Sequence, residues 1–259
     1  MAHVKLATWN VNSVRARQER LLAWLAAVRP DVVCLQELKV TNDAFPADAL
    51  RGAGYSAVVH GQKTYNGVAI LSRVEAAEPQ RGFGDGGDEA ASRLVAVRFG
   101  ELHVVSAYVP NGGELGSDKW AYKLGWLSRL RGWLDRRFAR TELLALCGDF
   151  NVAPEPRDVR NPEAWEASVL FHPEARAALE NVRAWGLTDA FRLHHEEGGA
   201  YSWWDYRMLA FPKDDGLRID HVWLSEPLAK RCLSAEIQRD ERKGPQPSDH
   251  VPVVVELDA

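Results

Sequence analysis

Carboxylates, amides and one histidine recur in this chain where short apolar runs end. Asn10 and Asn12 follow the first run, and Glu37 follows Asp-Val-Val-Cys-Leu-Gln. Asp149 and Asn151 follow Glu-Leu-Leu-Ala-Leu-Cys-Gly. Asp220 opens Ile-Asp-His-Val-Trp-Leu, and Asp249 and His250 precede Val-Pro-Val-Val-Val. Taken singly, each is an ordinary turn or cap residue. Together they suggest one cleft lined by strand ends, where a rigid scaffold presents polar groups. Carboxylates and amides without cysteine suit a hard cation, Mg²⁺ or Mn²⁺, with Glu37 as first ligand. Among the eight histidines His250 stands apart, because Ser-Asp-His-Val-Pro lies at the foot of an apolar strand. A histidine beside such groups can serve as general base or charge stabiliser. His3, His60, His103, His194, His195 and His221 lack that context and read as structural or exposed.

Strands and helices that could position these groups alternate irregularly along the chain. Lys5 to Asn10, Asp31 to Leu35, Tyr55 to Val59 and Gly67 to Leu71 read as strands, as do Leu143 to Cys147, Ile219 to Leu224, Leu233 to Ile237 and Val251 to Leu257. Leu94 to Phe99 and Leu102 to Tyr108 read as a hairpin turned by Gly100-Glu101. Ser13 to Val28 carries apolar residues at helical spacing until Pro30, and Pro173 to Trp185 also reads as helix. The clearest helix is Asp118 to Phe138, where Trp120, Leu124, Leu127, Leu130, Leu134 and Phe138 step by three or four. Residues 73–91 and 148–172 read as loops. The order strand-helix-strand-strand occurs in both halves. Many strands among helices, with hairpins, imply a two-sheet core with helices outside, and no linker divides residues 1–259.

Composition bounds the function. At 259 residues, 46% hydrophobic and 26% charged, the chain can bury a large core. A net charge of −4 excludes a purely electrostatic nucleic-acid coat but leaves room for a local basic face or an acidic metal site. Cys34, Cys147 and Cys232 are far apart, with no CxxC or Cys/His cluster, so free thiols in a reducing cytosol are expected. No signal peptide is evident at the first residues, and no run approaches ~18 apolar residues, so no membrane association is expected.

Seven motifs, in order, carry a resemblance. Thr-Trp-Asn-Val-Asn (8–12), Leu-Gln-Glu (35–37), Ala-Tyr-Val-Pro-Asn-Gly (107–112), Gly-Asp-Phe-Asn (148–151), Trp-Trp-Asp-Tyr-Arg (203–207), Leu-Arg-Ile-Asp (217–220) and Ser-Asp-His-Val-Pro (248–252) resemble the exonuclease III and AP endonuclease family. Three of them are shared by the wider DNase I-like phosphoesterases. The 107–112, 203–207 and 217–220 segments narrow the match to the exonuclease III branch.

That resemblance implies a four-layered α/β sandwich of two packed, mostly antiparallel sheets flanked by helices. It also implies Mg²⁺-dependent cleavage of duplex DNA at abasic sites, nicks and 3′ ends. Glu37 with Asn10 would hold the metal (Mn²⁺ as substitute), with Asp249 on the metal side and Asp149 and Asn151 as further candidates. Asp149 would orient or deprotonate the attacking water, Asn151 would bond the phosphate, and Tyr108 would reach the phosphate or leaving oxygen. His250 would contact the phosphate, oriented by Asp220. Either Asp149 or His250 could take the proton.

The DNA side would include Asn12, Arg93 and Asn111, with Arg15, Arg17 and Arg20 after the first motif. It would also draw on the basic face of the long helix: Lys123, Arg129, Arg131, Arg136, Arg137 and Arg140 against Asp135. A solvated face is the plain alternative for that helix. Trp203 and Leu217 would wall a pocket for an extruded sugar or terminal nucleotide, or else fill the core. Leu170 stands where the family's AP endonucleases carry glycine or serine. It either turns into the core or narrows the pocket entrance, weakening abasic-site incision. A monomer in the cytoplasm, nucleoid-associated when on DNA, is expected. The competing readings are a phosphoesterase for inositol phosphates or phospholipid head groups, and a DNA-binding module without catalysis. The intact polar positions disfavour the last.

Overall fold

A computed structural model describes residues 3–87 and 91–258. The chain begins with β1 (Val4–Asn10), α1 (Gln18–Val28), β2 (Val32–Gln36), α2 (Ala47–Gly52), β3 (Ser56–His60) and β4 (Val68–Ser72). It continues through β5 (Ala77–Arg81), β6 (Leu94–Phe99), β7 (Leu102–Tyr108), α3 (Asp118–Arg137), β8 (Leu143–Asp149), α4 (Pro162–Trp165) and α5 (Pro173–Arg183). It closes with β9 (Leu187–Asp189), α6 (Ala210–Lys213), β10 (Asp220–Ser225), α7 (Glu226–Ala229), β11 (Cys232–Ile237) and β12 (Val253–Leu257).

The strands form two six-stranded sheets, ordered β11-β12-β1-β2-β4-β3 and β5-β6-β7-β8-β10-β9. Each has one parallel pair at its centre, β1 with β2 and β7 with β8, and its other pairs are antiparallel. A parallel pair cannot be closed by a tight turn and needs a crossover. Here α1 and α3 supply it, which is the physical content of the strand-helix-strand order in both halves.

Strand alternation separates the layers. Leu6, Val32, Cys34 and Ile70 of one sheet meet Val97, Val104, Ala145, Cys147 and Val222 of the other. Outward, Ala7, Trp9, Val33 and Leu35 pack under Leu21, Trp24 and Leu25 of α1. Leu94, Val105, Leu144 and Leu146 pack under Trp126, Leu127, Leu130, Trp133 and Leu134 of α3 and Leu179 of α5. The result is the expected four-layered sandwich. Each fully buried leucine on these stripes contributes about 1.5–3 kcal/mol over leaving it in water. Ser117 starts α3 by accepting the Trp120 amide at 3.2 Å. The cysteines are free, with Cys34 and Cys147 buried. Among the described residues no helix is long and apolar enough to cross a membrane.

Several expected boundaries are corrected. α1 begins at Gln18 rather than Ser13, because Asn12 and Ser13 take left-handed backbone and the amides of Val11, Ser13 and Val14 bond Gln36, Glu37 and Leu38. The expected loop 73–91 contains β5, an exposed polar edge strand with Pro79 and a bulge; residues 88–90 lie outside the described residues. The expected loop 148–172 contains α4 and a 3₁₀ turn at Pro156–Asp158. β9 is only three residues long and carries no alternation to read. β12 starts after Pro252, which has no amide hydrogen for a ladder.

Candidate active site

Both parallel pairs end on the same edge of the sandwich. Asn10 ends β1 opposite Gln36, the last residue of β2, and Tyr108 ends β7 opposite Asp149, the last residue of β8. Asp149 also stands opposite Asp220, the first residue of β10. Cross-strand register alone therefore sets Tyr108, Asp149 and Asp220 side by side. Gly148 makes that row possible: its φ is +149°, and a Cβ there would sit 1.9 Å from the Ala107 carbonyl oxygen.

Glu37 is the first residue past β2 and takes left-handed backbone, with φ 53°. One ligand atom each from Glu37, Asp149 and His250 lie within 4.8 Å of one another. Asn10 is buried between the two carboxylates, and its Nδ2 donates to Glu37 Oε1 at 2.8 Å and to Asp149 Oδ2 at 2.9 Å. Its own Oδ1 accepts the Asn12 amide at 2.9 Å. As arranged, Asn10 is therefore a donor that holds both acids, with its own oxygen engaged by the Asn12 amide. Lys39 Nζ lies 2.9 Å from Glu37 Oε2 and also donates to Asn12 Oδ1. Two carboxylate oxygens on one side of this cluster fit a hard divalent cation better than a thiophilic one.

His250 is held from behind. Its backbone carbonyl accepts Trp9 Nε1 at 3.1 Å, and its amide donates to Ser248 Oγ. Nδ1 faces Asp220 Oδ2 at 2.9 Å, and Nε2 lies 3.7 Å from Asp149 Oδ2. Burial pushes the His250 pKa down, but Asp220 and Asp149 outweigh it and hold the ring protonated, up to about 10. Burial pushes Asp149 up, to about 7, and the charges of Asp220 and Glu37 add to that, while His250 and the Asn10 amide oppose it. Burial, then the charges of Glu37 and Asp149, raise Tyr108 well above an ordinary phenol, so its hydroxyl keeps its proton. Ser202 hydroxyl donates to Asp220 Oδ2 at 2.6 Å and accepts the Ile219 and Asp220 amides.

Other expected residues sit elsewhere than the sequence reading placed them. Asn151 spends its amide within the protein: Nδ2 donates to Val109 O at 2.9 Å and to Asp149 Oδ2 at 3.3 Å, so it frames Asp149. Asp249 is not in the acid cluster. Its Oδ1 accepts Asn12 Nδ2 at 2.9 Å and its Oδ2 accepts Trp203 Nε1 at 3.0 Å, tying the 10–12 loop to that indole. Trp203 is half-buried with its ring 6.4 Å from the His250 ring and 6.0 Å from Trp165, a neighbour the sequence reading missed. Leu217 is fully buried, its backbone paired with Trp203, and presents no exposed surface beside that indole. Leu170 is 6% exposed, packed in the core beneath α3 and α5, so it does not narrow an entrance.

Arg93 lies 4.8 Å over the Tyr108 ring and donates to the Tyr108 carbonyl. Asn111 is exposed and donates to Asn151 Oδ1 at 3.2 Å. Lys123 is fully buried rather than on an outer basic face. Its burial pushes its pKa down, to about 7, while the nearby Asp149 charge and three carbonyl acceptors favour the ammonium. Arg129 pairs with Asp85, Arg131 with Asp135, and Arg137 with Glu78, so much of the basic helix face is spent on its own surroundings. Arg17 and Arg20 clip α1 to the segment before Ser248, through the carbonyls of Pro247 and of Glu241, Lys243 and Pro245. Arg15 is exposed.

Lys39 and Ser202 are the functional neighbours that sequence reasoning missed. Lys39 carried a faint signal, two residues from Glu37. Ser202 carried none, since its partner is 18 residues away.

A two-sheet α/β sandwich with carboxylates, a histidine and a phenol gathered at strand ends offers a candidate cation site beside groups that can donate protons. The Endonuclease/Exonuclease/phosphatase family model matches residues 7–250. Exodeoxyribonuclease III of Haemophilus influenzae is 34% identical, over 98% of this chain and 100% of its own. The AP endonuclease from Archaeoglobus fulgidus superposes with a TM-score of 0.96 at 37% identity, covering 99% of this chain and 100% of that one. The 3′ phosphatase NExo from Neisseria, bound to product DNA hairpin, superposes with a TM-score of 0.96 at 38% identity and the same coverage. The chain belongs to the Endonuclease/Exonuclease/phosphatase family, on its exonuclease III and AP endonuclease side.

Proposed function

We propose that the protein is an Mg²⁺-dependent DNA-repair nuclease. It acts on duplex DNA as a 3′→5′ exonuclease, 3′-phosphatase and AP endonuclease, and works as a monomer in the cytoplasm. One observation carries the reading: Asp149 is flanked by Glu37 on one side and by the His250–Asp220 pair on the other. In-line hydrolysis of a phosphodiester needs a base, charge neutralisation on the non-bridging oxygens, and help for the leaving oxygen.

Asp149, buried at the end of β8 with His250 Nε2 3.7 Å away, is the group placed to orient or deprotonate the attacking water. His250 is held protonated by Asp220, so it serves as a donor to a phosphate oxygen rather than as the base. Tyr108 keeps its hydroxyl proton and can donate to a phosphate or leaving oxygen. Asn10 and Asn151 spend their amides on fixing Asp149. Glu37 and Asp149 would hold the cation, which, when bound, neutralises developing phosphate charge. Half-buried Trp203 beside His250 offers a flat apolar wall for a sugar or base.

The test is incubation of pure protein in Mg²⁺ with a nicked duplex, an abasic-site duplex and an inositol polyphosphate. Cleavage of both DNAs, lost in chelator, supports the reading. Turnover of the inositol phosphate alone replaces it with the other phosphoesterase, and no turnover of any substrate with retained duplex binding replaces it with a binding module.

A further inference from the structure

Lys123 of α3 points into the protein beneath the candidate site. Its Nζ donates to the carbonyls of Asn111 at 2.9 Å, Asn151 at 2.7 Å and Val169 at 2.6 Å. A lysine ammonium has three hydrogens, and here each meets one acceptor. The three carbonyls come from three separate loops: after β7, after β8, and before α5. An apolar side chain of similar length would fill the same space but leave those carbonyls unpaired.

The loops are shaped around this side chain. Gly112 has φ +99°, and a Cβ there would lie 2.9 Å from Lys123 Cδ and 3.5 Å from Val169 Cβ. Asn151 takes left-handed backbone, with φ 49°, and its carbonyl ends on the ammonium. Above that carbonyl the Asn151 side chain bonds Asp149, and the Asn111 side chain bonds Asn151.

We propose that Lys123 is a positioning residue for phosphodiester hydrolysis, fixing the Asn111, Asn151 and Val169 carbonyls so that the Asn151 amide is held on Asp149. The proposal rests on reading the Asp149 cluster as the hydrolytic centre. Lys123 acts through Asn151 and touches no substrate.

The test compares wild type with Lys123→Met, which removes all three donors, and Lys123→Gln, which keeps two N–H groups without charge. Steady-state cleavage of a duplex with one abasic site is measured in Mg²⁺ well below each melting temperature, across salt concentrations. Side-chain amide NMR signals of Asn111 and Asn151 are recorded in parallel. Lys123→Met is expected to lose at least about tenfold in kcat with KM within about threefold, and Lys123→Gln to fall between it and wild type. Salt dependence stays unchanged, and both asparagine signals move.

A raised KM with unchanged kcat and a shallower salt slope marks Lys123 as a phosphate contact and overturns the proposal. A lower melting temperature with unchanged kcat and unmoved signals marks it as packing and also overturns it. So does failure of both variants to fold, because the ammonium then serves the fold itself. A wild type inactive on DNA defeats the functional reading separately, and the asparagine signals still decide the positioning.

Discussion

Asp220→Asn isolates one charge behind His250. Asp220 is 1% exposed, and its Oδ2 accepts both His250 Nδ1 and the Ser202 hydroxyl. Asparagine has the same shape and keeps an acceptor, so the charge is what goes. Opposite unit charges about 4 Å apart at an effective dielectric of about 20 attract by about 4 kcal/mol, or about three pKa units. His250 is held at about 10. Three units down puts the variant's imidazole at about 7. The wild-type rate should hold on the alkaline side until near pH 10, whereas the variant's should fall from about pH 7 as the ring loses its proton.

The assay is kcat on a labelled 3′-recessed duplex at saturating Mg²⁺, with His250 ring signals titrated by NMR. Stability gives a second readout with a fixed sign. A histidine raised from 6.5 to about 10 contributes fully below its unfolded value and loses that contribution as pH rises through its folded one. Wild type should therefore lose stability across that window, and Asp220→Asn should lose much less of it. Superimposable rate profiles, or an alkaline limb that moves upward, refute the pairing.

Glu37→Gln should lower kcat by at least ~10²-fold at every Mg²⁺ concentration, checked in a metal titration; full activity at low Mg²⁺ removes Glu37 from the metal. Leu170→Ala should cost about 2–5 kcal/mol in a urea melt, as a core truncation does, while the ratio of abasic-site incision to exonuclease rate stays put. A changed ratio would return Leu170 to the pocket entrance. Arg218→Met should cost about 3–5 kcal/mol, because it removes the guanidinium that meets buried Asp158 and Asp189 at 2.7 and 2.8 Å and leaves Arg192 as the cation paired with Asp158. Burial alone would raise those two carboxyls, but Arg218 outweighs it and holds them low. Their contribution is full above the ordinary carboxylate pKa and is lost as pH falls through the lowered values, so acid melts of wild type should show a larger loss than those of Arg218→Met, where Arg192 still faces Asp158.

The fold was legible where burial writes a period. α3 announces itself because one face must cover a sheet, and the central strands read as apolar runs because both their faces are covered. β5 was not legible, since an edge strand covered on neither face has no reason to be apolar. The start of α1 was misplaced for a related reason. Residues 13 and 14 lie along residues 37 and 38, with their amides spent on Glu37 and Leu38 rather than on a helical turn.

The site shows a different limit. Recurrence of amides and carboxylates at strand ends points to Asn10, Asn151 and Asp249, although each alone is an ordinary turn residue, and the charge of α3 points to Lys123. Type cannot say which hydrogens remain free. Asn10 and Asn151 resemble ligands in a motif, yet their N–H groups are taken by Glu37, Asp149 and Val109. Lys123 resembles a phosphate contact, yet its three hydrogens end on carbonyls. With those hydrogens engaged, Glu37, Asp149, His250 and Tyr108 are the ionisable side chains gathered at the strand ends. Burial and neighbouring charge then divide the work among them, raising Asp149 toward neutrality while holding His250 and Tyr108 protonated. On the proposed reading, a base and two proton donors would coexist at one pH on a strand edge that the amides hold in place.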